Sequence, residues 1–152
     1  MALSADASGV LVTCSACGTT NRQRYQVLNR RIRCGKCRTE LAPPSSAVEI
    51  RDEATFDSVI AAAAVPIAVD FWAPWCGPCR AMAPELEKAA NRLSGRALIV
   101  KVNTEASPEL GERFRIQSIP TLAVFKGGRE VARSSGARPA ADIAAFITQS
   151  AA

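Results

Sequence analysis

Ile67-Ala68-Val69-Asp70-Phe71-Trp72, followed after Ala73-Pro74 by Trp75-Cys76-Gly77-Pro78-Cys79, is the stretch that decides the fold. The first run is apolar except at Asp70 and reads as a buried strand. Beyond the cysteines, Met82, Leu86, Ala89, Ala90 and Leu93 fall on one helical face. Cys76 therefore sits where a strand gives way to a helix. Unpaired backbone N–H groups and the positive end of the helix dipole at such a point stabilise a thiolate, the nucleophilic form of cysteine. Pro78 suits the first helical turn, where a missing N–H leaves nothing unbonded. Two thiols at this spacing form a dithiol that can close and reopen, which suits electron transfer. Half of a metal site or a static disulfide is the other reading, and the strand-to-helix context favours redox use.

Outward from that stretch the pattern alternates. A short strand is expected at 48–50, then a helix capped by Asp52 with Phe56, Val59, Ile60 and Ala63 on one face. After the 67–72 strand and the helix of the dithiol comes an apolar strand at 97–102. Ser107-Pro108-Glu109 reads as a cap followed by proline at the first helical position, opening a short helix that ends near Phe114. Strands at 121–125 and 130–133 flank Gly127-Gly128, a hairpin signal. A last helix begins near Pro139 and carries Ile143, Ala144 and Ile147. The order βαβαβα, then ββα, implies an α/β fold with a mostly parallel central sheet, an antiparallel hairpin at one side and helices on both faces.

Upstream, Cys14-Ser15-Ala16-Cys17 and Cys34-Gly35-Lys36-Cys37 are separated by 16 residues, within the spacing of a two-knuckle, four-cysteine zinc site. The segment offers few large apolar side chains (Tyr25, Val27, Leu28, Ile32), so a metal is the expected source of its stability. Two further redox pairs are the competing reading, disfavoured because neither pair opens an amphipathic helix. Leu41-Ala42-Pro43-Pro44-Ser45-Ser46 reads as a short semi-rigid linker.

The chain has 152 residues, of which 48% are hydrophobic, enough for one core domain plus an appendage. Its first twelve residues carry no basic stretch followed by an apolar one, so no export signal is read there and a cytosolic, soluble protein is expected. No apolar run approaches the roughly 18 residues of a membrane-spanning helix. The chain contains no histidine, which removes Ser-His, Cys-His and His-metal arrangements and leaves thiol chemistry. Net charge is +5, and all of the excess lies in residues 1–46, where seven Arg and Lys face Asp6 and Glu40. A nucleic-acid module is one reading of that segment, but Tyr25 alone is thin for base stacking, and a solvated basic surface accounts for the charge.

Residues 47–152 resemble the thioredoxin family over their whole length. The resemblance rests on Val69-Asp70-Phe71-Trp72 leading to Trp75-Cys76-Gly77-Pro78-Cys79, then Ile119-Pro120-Thr121, Phe125-Lys126-Gly127-Gly128 and Gly136. With the four-cysteine segment in front, the chain resembles the bacterial zinc-ribbon thioredoxin 2 type within that family. This implies a thioredoxin fold, with a mixed central sheet and helices on both faces, at 47–152. A zinc-ribbon domain at 1–40 and a linker at 41–46 precede it. It also implies a protein-disulfide reductase, recharged by an NADPH-dependent thioredoxin reductase, with one zinc ion and no organic cofactor. Its expected partners are that reductase and protein disulfides, its expected state a monomer.

By the same resemblance Cys76 is the attacking thiolate and Cys79 the resolving thiol, the two forming the redox-active disulfide, while Cys14, Cys17, Cys34 and Cys37 hold the metal. Pro120 matches a cis-proline facing the dithiol, although from the residues alone it also reads as a trans proline starting a strand. Ile119 would offer backbone groups to an extended substrate, with Gly136 and Ala137 on the opposite rim and Trp75 as an exposed indole beside the nucleophile. Trp72 reads as a packing residue. An ionisable group inside an apolar strand is costly to bury, so Asp70 reads either as a strand-end carboxylate in water or as a desolvated carboxyl with a raised pKa. In the family the matching role is proton acceptor for Cys79. Lys101 on the neighbouring strand is its expected charge partner, or else a solvated lysine. The absence of histidine between Cys76 and Cys79 points to a less stabilised thiolate and hence to a reductant. A third reading, compatible with the first, makes the zinc ribbon a redox sensor or a docking element.

Overall fold

The structure, a computed structural model, describes residues 2–152. From residue 48 onward the elements follow the sequence pattern closely. Strand β6 (Val48–Glu49) leads to helix α1 (Glu53–Ala62), and Asp52 caps that helix by accepting the Thr55 N–H at 3.1 Å. Strand β7 (Ile67–Trp72) leads to helix α2 (Gly77–Arg92), then to β8 (Leu98–Asn103) and α3 (Pro108–Arg113). The hairpin of β9 (Thr121–Lys126) and β10 (Arg129–Ser135) precedes α4 (Ala140–Ser150). Ser107 stands at the start of α3 but does not cap it: its hydroxyl donates instead to the Arg51 carbonyl at 2.8 Å, tying the helix entry to the end of β6.

The N-terminal segment adds strands to the same sheet. Strands β1 (Leu3–Asp6), β2 (Gly9–Thr13) and β3 (Thr20–Arg24) join the central sheet, which runs β10-β9-β7-β8-β6-β1-β2-β3. Strand β1 lies parallel to β6, with Leu3 opposite Val48 and Ser4 opposite Glu49. The sheet is therefore mixed, with a parallel centre β7-β8-β6-β1 and antiparallel pairs at both ends. The physical reason is the one that made a metal look necessary. A segment with few apolar side chains buries them best in a neighbour's core, and Val10, Tyr25 and Leu28 pack into the same cluster as Phe56, Val69 and Val100. The Tyr25 carbonyl accepts the Ala64 N–H at 2.9 Å, and the Tyr25 hydroxyl donates to the Asp6 carbonyl. Gly9 permits the close approach of β2 and β3, since a Cβ there would run into the Gln23 carbonyl.

Residues 41–46, expected as a short semi-rigid linker, are anchored at two points. Leu41 belongs to the small hairpin of β4 (Ile32–Arg33) and β5 (Glu40–Leu41), and the Pro43 carbonyl accepts the Ser94 hydroxyl at 3.0 Å. The core has two layers. One face of the sheet packs on α1 and on Phe114 just past α3, where the Phe114 ring meets those of Phe56, Phe71 and Phe125. The other carries Ala68, Ile99, Leu122 and Val124 against Met82, Leu86, Ala89 and Ala90 of α2 and Ile143 and Ile147 of α4. No helix among the described residues is long and apolar enough to cross a membrane.

Candidate active site and metal centre

Strand β7 ends at Trp72, and four residues on, Cys76 is the N-cap of α2. Its Sγ accepts the backbone N–H of Cys79 at 3.2 Å, so a thiolate at this sulfur has a donor already aimed at it. Cys76 and Cys79 are joined as a disulfide with Cα atoms 5.2 Å apart, inside the usual range for such bonds. Arg80 holds the preceding loop by donating to the Pro74 carbonyl at 3.1 Å. Trp75, by contrast, is 69% exposed, the largest apolar side chain on the surface beside a buried cysteine pair.

Opposite the disulfide, Cys76 Sγ lies 3.8 Å from the Ile119 carbonyl oxygen, and the Ile119–Pro120 peptide is cis. Gly136 (φ 99°) donates its N–H to the Pro120 carbonyl at 2.9 Å, which fixes the loop that bears Ala137. Two hollows are lined by residues next to the segments that carry the disulfide and the cis-proline. One of about 210 Å³ is lined by Trp75, Thr104, Gly111 and residues 116–119, and another of about 420 Å³ by Ala81, Met82, Glu85 and residues 137–139. Of the residues expected around one groove, Pro120 and Gly136 line neither hollow, Ala137 lines the larger, and Trp75 and Ile119 line the smaller. Thr104, Gly111, Ile116 and Gln117 also line it, and no residue-type signal in the sequence pointed to them.

Asp70 is buried at 1% exposure, and its Oδ1 has no hydrogen-bond partner. Burial pushes its pKa up to about 7, against a lowering influence from Lys101 and a further raising one from Glu49. Lys101 stands directly across from Asp70 in the β7–β8 register but makes no ion pair among the described residues. Its ammonium lies over the Trp72 ring, 4.6 Å from the centroid, so the expected Asp70–Lys101 partnership is one of proximity rather than contact.

At the other end of the sheet the two knuckles repeat one geometry. Cys14 N–H donates to Thr19 O at 2.9 Å and Cys34 N–H to Thr39 O at 2.9 Å, and the chain turns through left-handed residues at Gly18 (φ 78°) and Arg38 (φ 66°). The closest sulfurs belong to opposite knuckles, Cys14 to Cys37 and Cys17 to Cys34, both at 3.6 Å, and all four lie within 4.8 Å of one another. Sulfurs on a tetrahedron around a zinc ion at about 2.3 Å are about 3.8 Å apart, so this donor set fits a four-thiolate metal centre. Asn21, absent from the expected site, donates to Cys34 Sγ at 3.4 Å and accepts the Gly35 N–H at 2.9 Å. The Cys37 backbone N–H, then Asn21 and the Lys36 N–H, hold the Cys34 thiol down at about 6. Tyr25, the aromatic that a base-stacking role would need, is 1% exposed in the core.

A dithiol at a helix N-terminus, beside a cis-proline on a mixed sheet, defines a thiol-disulfide oxidoreductase. The thioredoxin family model matches residues 46–149. Over 140 residues the chain is 34% identical to thioredoxin C-3 of Corynebacterium nephridii, covering 92% of this chain and 94% of that one. This match is longer than residues 47–152 alone can supply, so it reaches into the cysteine-bearing segment. Thioredoxin 1 of Nostoc sp. is 45% identical over 95 residues, 62% of this chain and 88% of its own. The solved structure of a chloroplastic thioredoxin z superposes with a TM-score of 0.63 at 34% identity, covering 69% of this chain and 94% of that one. The chain belongs to the thioredoxin family and is a thiol-disulfide oxidoreductase with Cys76 and Cys79 as its active-site pair.

Proposed function

We propose that the chain is a cytosolic protein-disulfide reductase of the zinc-ribbon thioredoxin 2 type, in which Cys76 attacks and Cys79 resolves. The observation that carries this reading is the position of Cys76 at the N-cap of α2 with the Cys79 N–H on its sulfur, while Cys79 sits inside the first helical turn. An extended substrate segment lies in the groove between Trp75 and the 136–137 loop, its backbone facing the Ile119 peptide. The Cys76 thiolate displaces one substrate sulfur, forming a mixed disulfide and releasing a substrate thiolate. Cys79, deprotonated as Asp70 takes its proton, then attacks the Cys76 sulfur. The second substrate thiol leaves, and the Cys76–Cys79 disulfide carries away the two-electron oxidation. An NADPH-dependent thioredoxin reductase returns the pair to the dithiol.

Cys14, Cys17, Cys34 and Cys37 hold one zinc ion in this reading. When bound, the metal supplies closed tetrahedral coordination that cross-links the two knuckles. Elemental analysis of the full chain combined with an insulin-reduction assay tests both halves. One zinc per chain with thioredoxin-reductase-dependent turnover is the expected result, and four freely titratable N-terminal thiols with no metal would remove the zinc assignment.

A further inference from the structure

Strand register lines up charged side chains across the sheet in a way that the dithiol mechanism does not use. Asp70 on β7 is opposite Lys101 on β8, Lys101 is opposite Glu49 on β6, and Glu49 is opposite Ser4 on β1. Residues paired in register point to the same face of a sheet, so these carboxyls and the ammonium form one row. Two interstrand steps put the Asp70 and Glu49 Cα atoms roughly 10 Å apart. The row runs from a dry end to a wet one. Asp70 is buried with an unpartnered oxygen, whereas Glu49 is half-buried and lines a cleft of about 570 Å³ together with Trp72, Asn103, Ser107 and Ser4. Lys101 lies between the two carboxyls and is ion-paired to neither, its ammonium being held on the Trp72 ring.

We propose that Glu49 is a positioning residue for the dithiol reaction, sharing the Lys101 ammonium with Asp70 and so setting how tightly Asp70 holds its proton. The inference rests on the reading of Asp70 as proton acceptor for Cys79. A Glu49 anion repels negative charge on Asp70 across roughly 10 Å, and it also draws the one ammonium, which is ion-paired to neither carboxyl, towards itself and away from Asp70. Both effects keep Asp70 protonated to higher pH, in line with the raising influence of Glu49 and the lowering influence of Lys101 on it. Burial likewise holds the Glu49 carboxyl above its usual range, with Lys101 and Arg51 opposing. Among the charged or titratable groups of the elements around Asp70 are Lys101 on β8, Glu49 on β6 with Arg51 just beyond it, and the dithiol and Arg80 at the start of α2, while Glu85, Glu87, Lys88 and Arg92 lie farther along α2 and Lys126 at the end of β9. Arg80 is held outward on the Pro74 carbonyl, and β9 contributes the apolar Leu122 in register with Asp70.

Carboxyl-carbon NMR titration of Asp70 in the oxidised full-length protein reads this link directly, and the pH profile of mixed-disulfide release reads its consequence. Glu49→Gln lowers the Asp70 midpoint by roughly half a pH unit after screening by the open cleft, and Lys101→Gln raises it. In the double variant the Glu49→Gln shift shrinks, because the shared cation is gone. Glu49→Asp, which keeps the charge, holds the midpoint near that of the parent, which a merely structural role for the side chain would not require. An Asp70 midpoint unmoved in a natively folded Glu49→Gln protein overturns the proposal. A midpoint that moves while the release profile stays fixed removes Asp70 as proton acceptor and, with it, the role of Glu49 in the reaction, although the electrostatic link between the two carboxyls stands.

Discussion

Cys76-Gly77-Pro78-Cys79 and the knuckles Cys14-Ser15-Ala16-Cys17 and Cys34-Gly35-Lys36-Cys37 share one spacing, yet the backbone puts them to different ends. Cys79 lies in the first turn of a 16-residue helix with an apolar face, so both sulfurs stay on one turn and bond to each other. After Cys17 and Cys37 it doubles back through a left-handed residue, and each sulfur finds its nearest neighbour on the other knuckle. Two cysteines separated by two residues specify only that the sulfurs can meet. Whether they meet each other or a common ion depends on the path the backbone takes after the second one.

The comparison is broken most directly at the nucleophile. Cys76→Ser abolishes insulin reduction, a loss of at least three orders of magnitude by analogy with other removed nucleophiles, while Cys79→Ser still attacks but accumulates a mixed disulfide visible by mass spectrometry. Trapping through Cys79 in the Cys76→Ser protein, and none in the converse variant, would exchange the two roles.

Next in size is removal of residues 1–46. The resulting fragment keeps the elements that carry the dithiol and retains disulfide reduction, but it loses Val10, Tyr25 and Leu28 from the shared core and exposes β6 as a sheet edge. At about 1.5–3 kcal/mol for each buried side chain, the cost is on the order of 5 kcal/mol, measurable by urea denaturation of fragment and full chain. Equal stability of the two would show the knuckle region to be energetically independent of the catalytic one despite the continuous sheet.

Asp70→Asn separates stability from turnover. The folded-state pKa of about 7 lies above an unfolded value of about 3.9, so the folded protein binds this proton more tightly. The group therefore favours folding below pH 4, and that contribution is lost as pH rises from 4 through 7. The variant removes this slope, gains on the order of 4 kcal/mol of stability above pH 7, and releases mixed disulfides more slowly while the first attack is less affected. Denaturation across pH and stopped-flow kinetics measure the two halves. Lower stability at neutral pH with unchanged resolution would make Asp70 an ordinary structural carboxylate.

The smallest effect tests the knuckle repeat itself. Gly18 and Arg38 occupy equivalent left-handed positions, but only glycine does so without a Cβ penalty. Arg38→Gly should raise the thermal midpoint by an amount corresponding to about 0.5–1 kcal/mol with the metal site retained. A fall would mean that the Arg38 side chain contributes more to the second knuckle than its strain costs.

Much of the catalytic half was legible because its signals are local. Caps, proline positions and apolar periodicity between residues 48 and 150 each depend on a few neighbouring residues, and the Asp52 cap and the Gly127-Gly128 turn formed where those signals stood. The N-terminal strands were not legible for the opposite reason. Thr20-Asn21-Arg22-Gln23-Arg24 has no apolar alternation, and it becomes a strand because β2 supplies a hydrogen-bonding edge in the register Gly9 to Arg24. The five residues of β2 are too few to distinguish a strand from a loop without knowing that β1 and β3 wait beside them.

What the sequence determined by itself is the chemistry: a dithiol at a helix start, four further cysteines at metal-binding spacing, one carboxyl inside an apolar strand, and no histidine to compete with any of them. Residue type and short-range spacing fix those properties, since they depend on covalent connectivity and local backbone geometry. Tertiary structure alone decided that the knuckle segment adds strands to the sheet. It also decided that Lys101 rests on Trp72 between two carboxyls, and that residues 104, 111 and 116–119 gather beside Trp75. Each of these joins parts of the chain far apart in sequence, and such contacts are set by which surfaces bury most favourably against one another, a property no single segment contains.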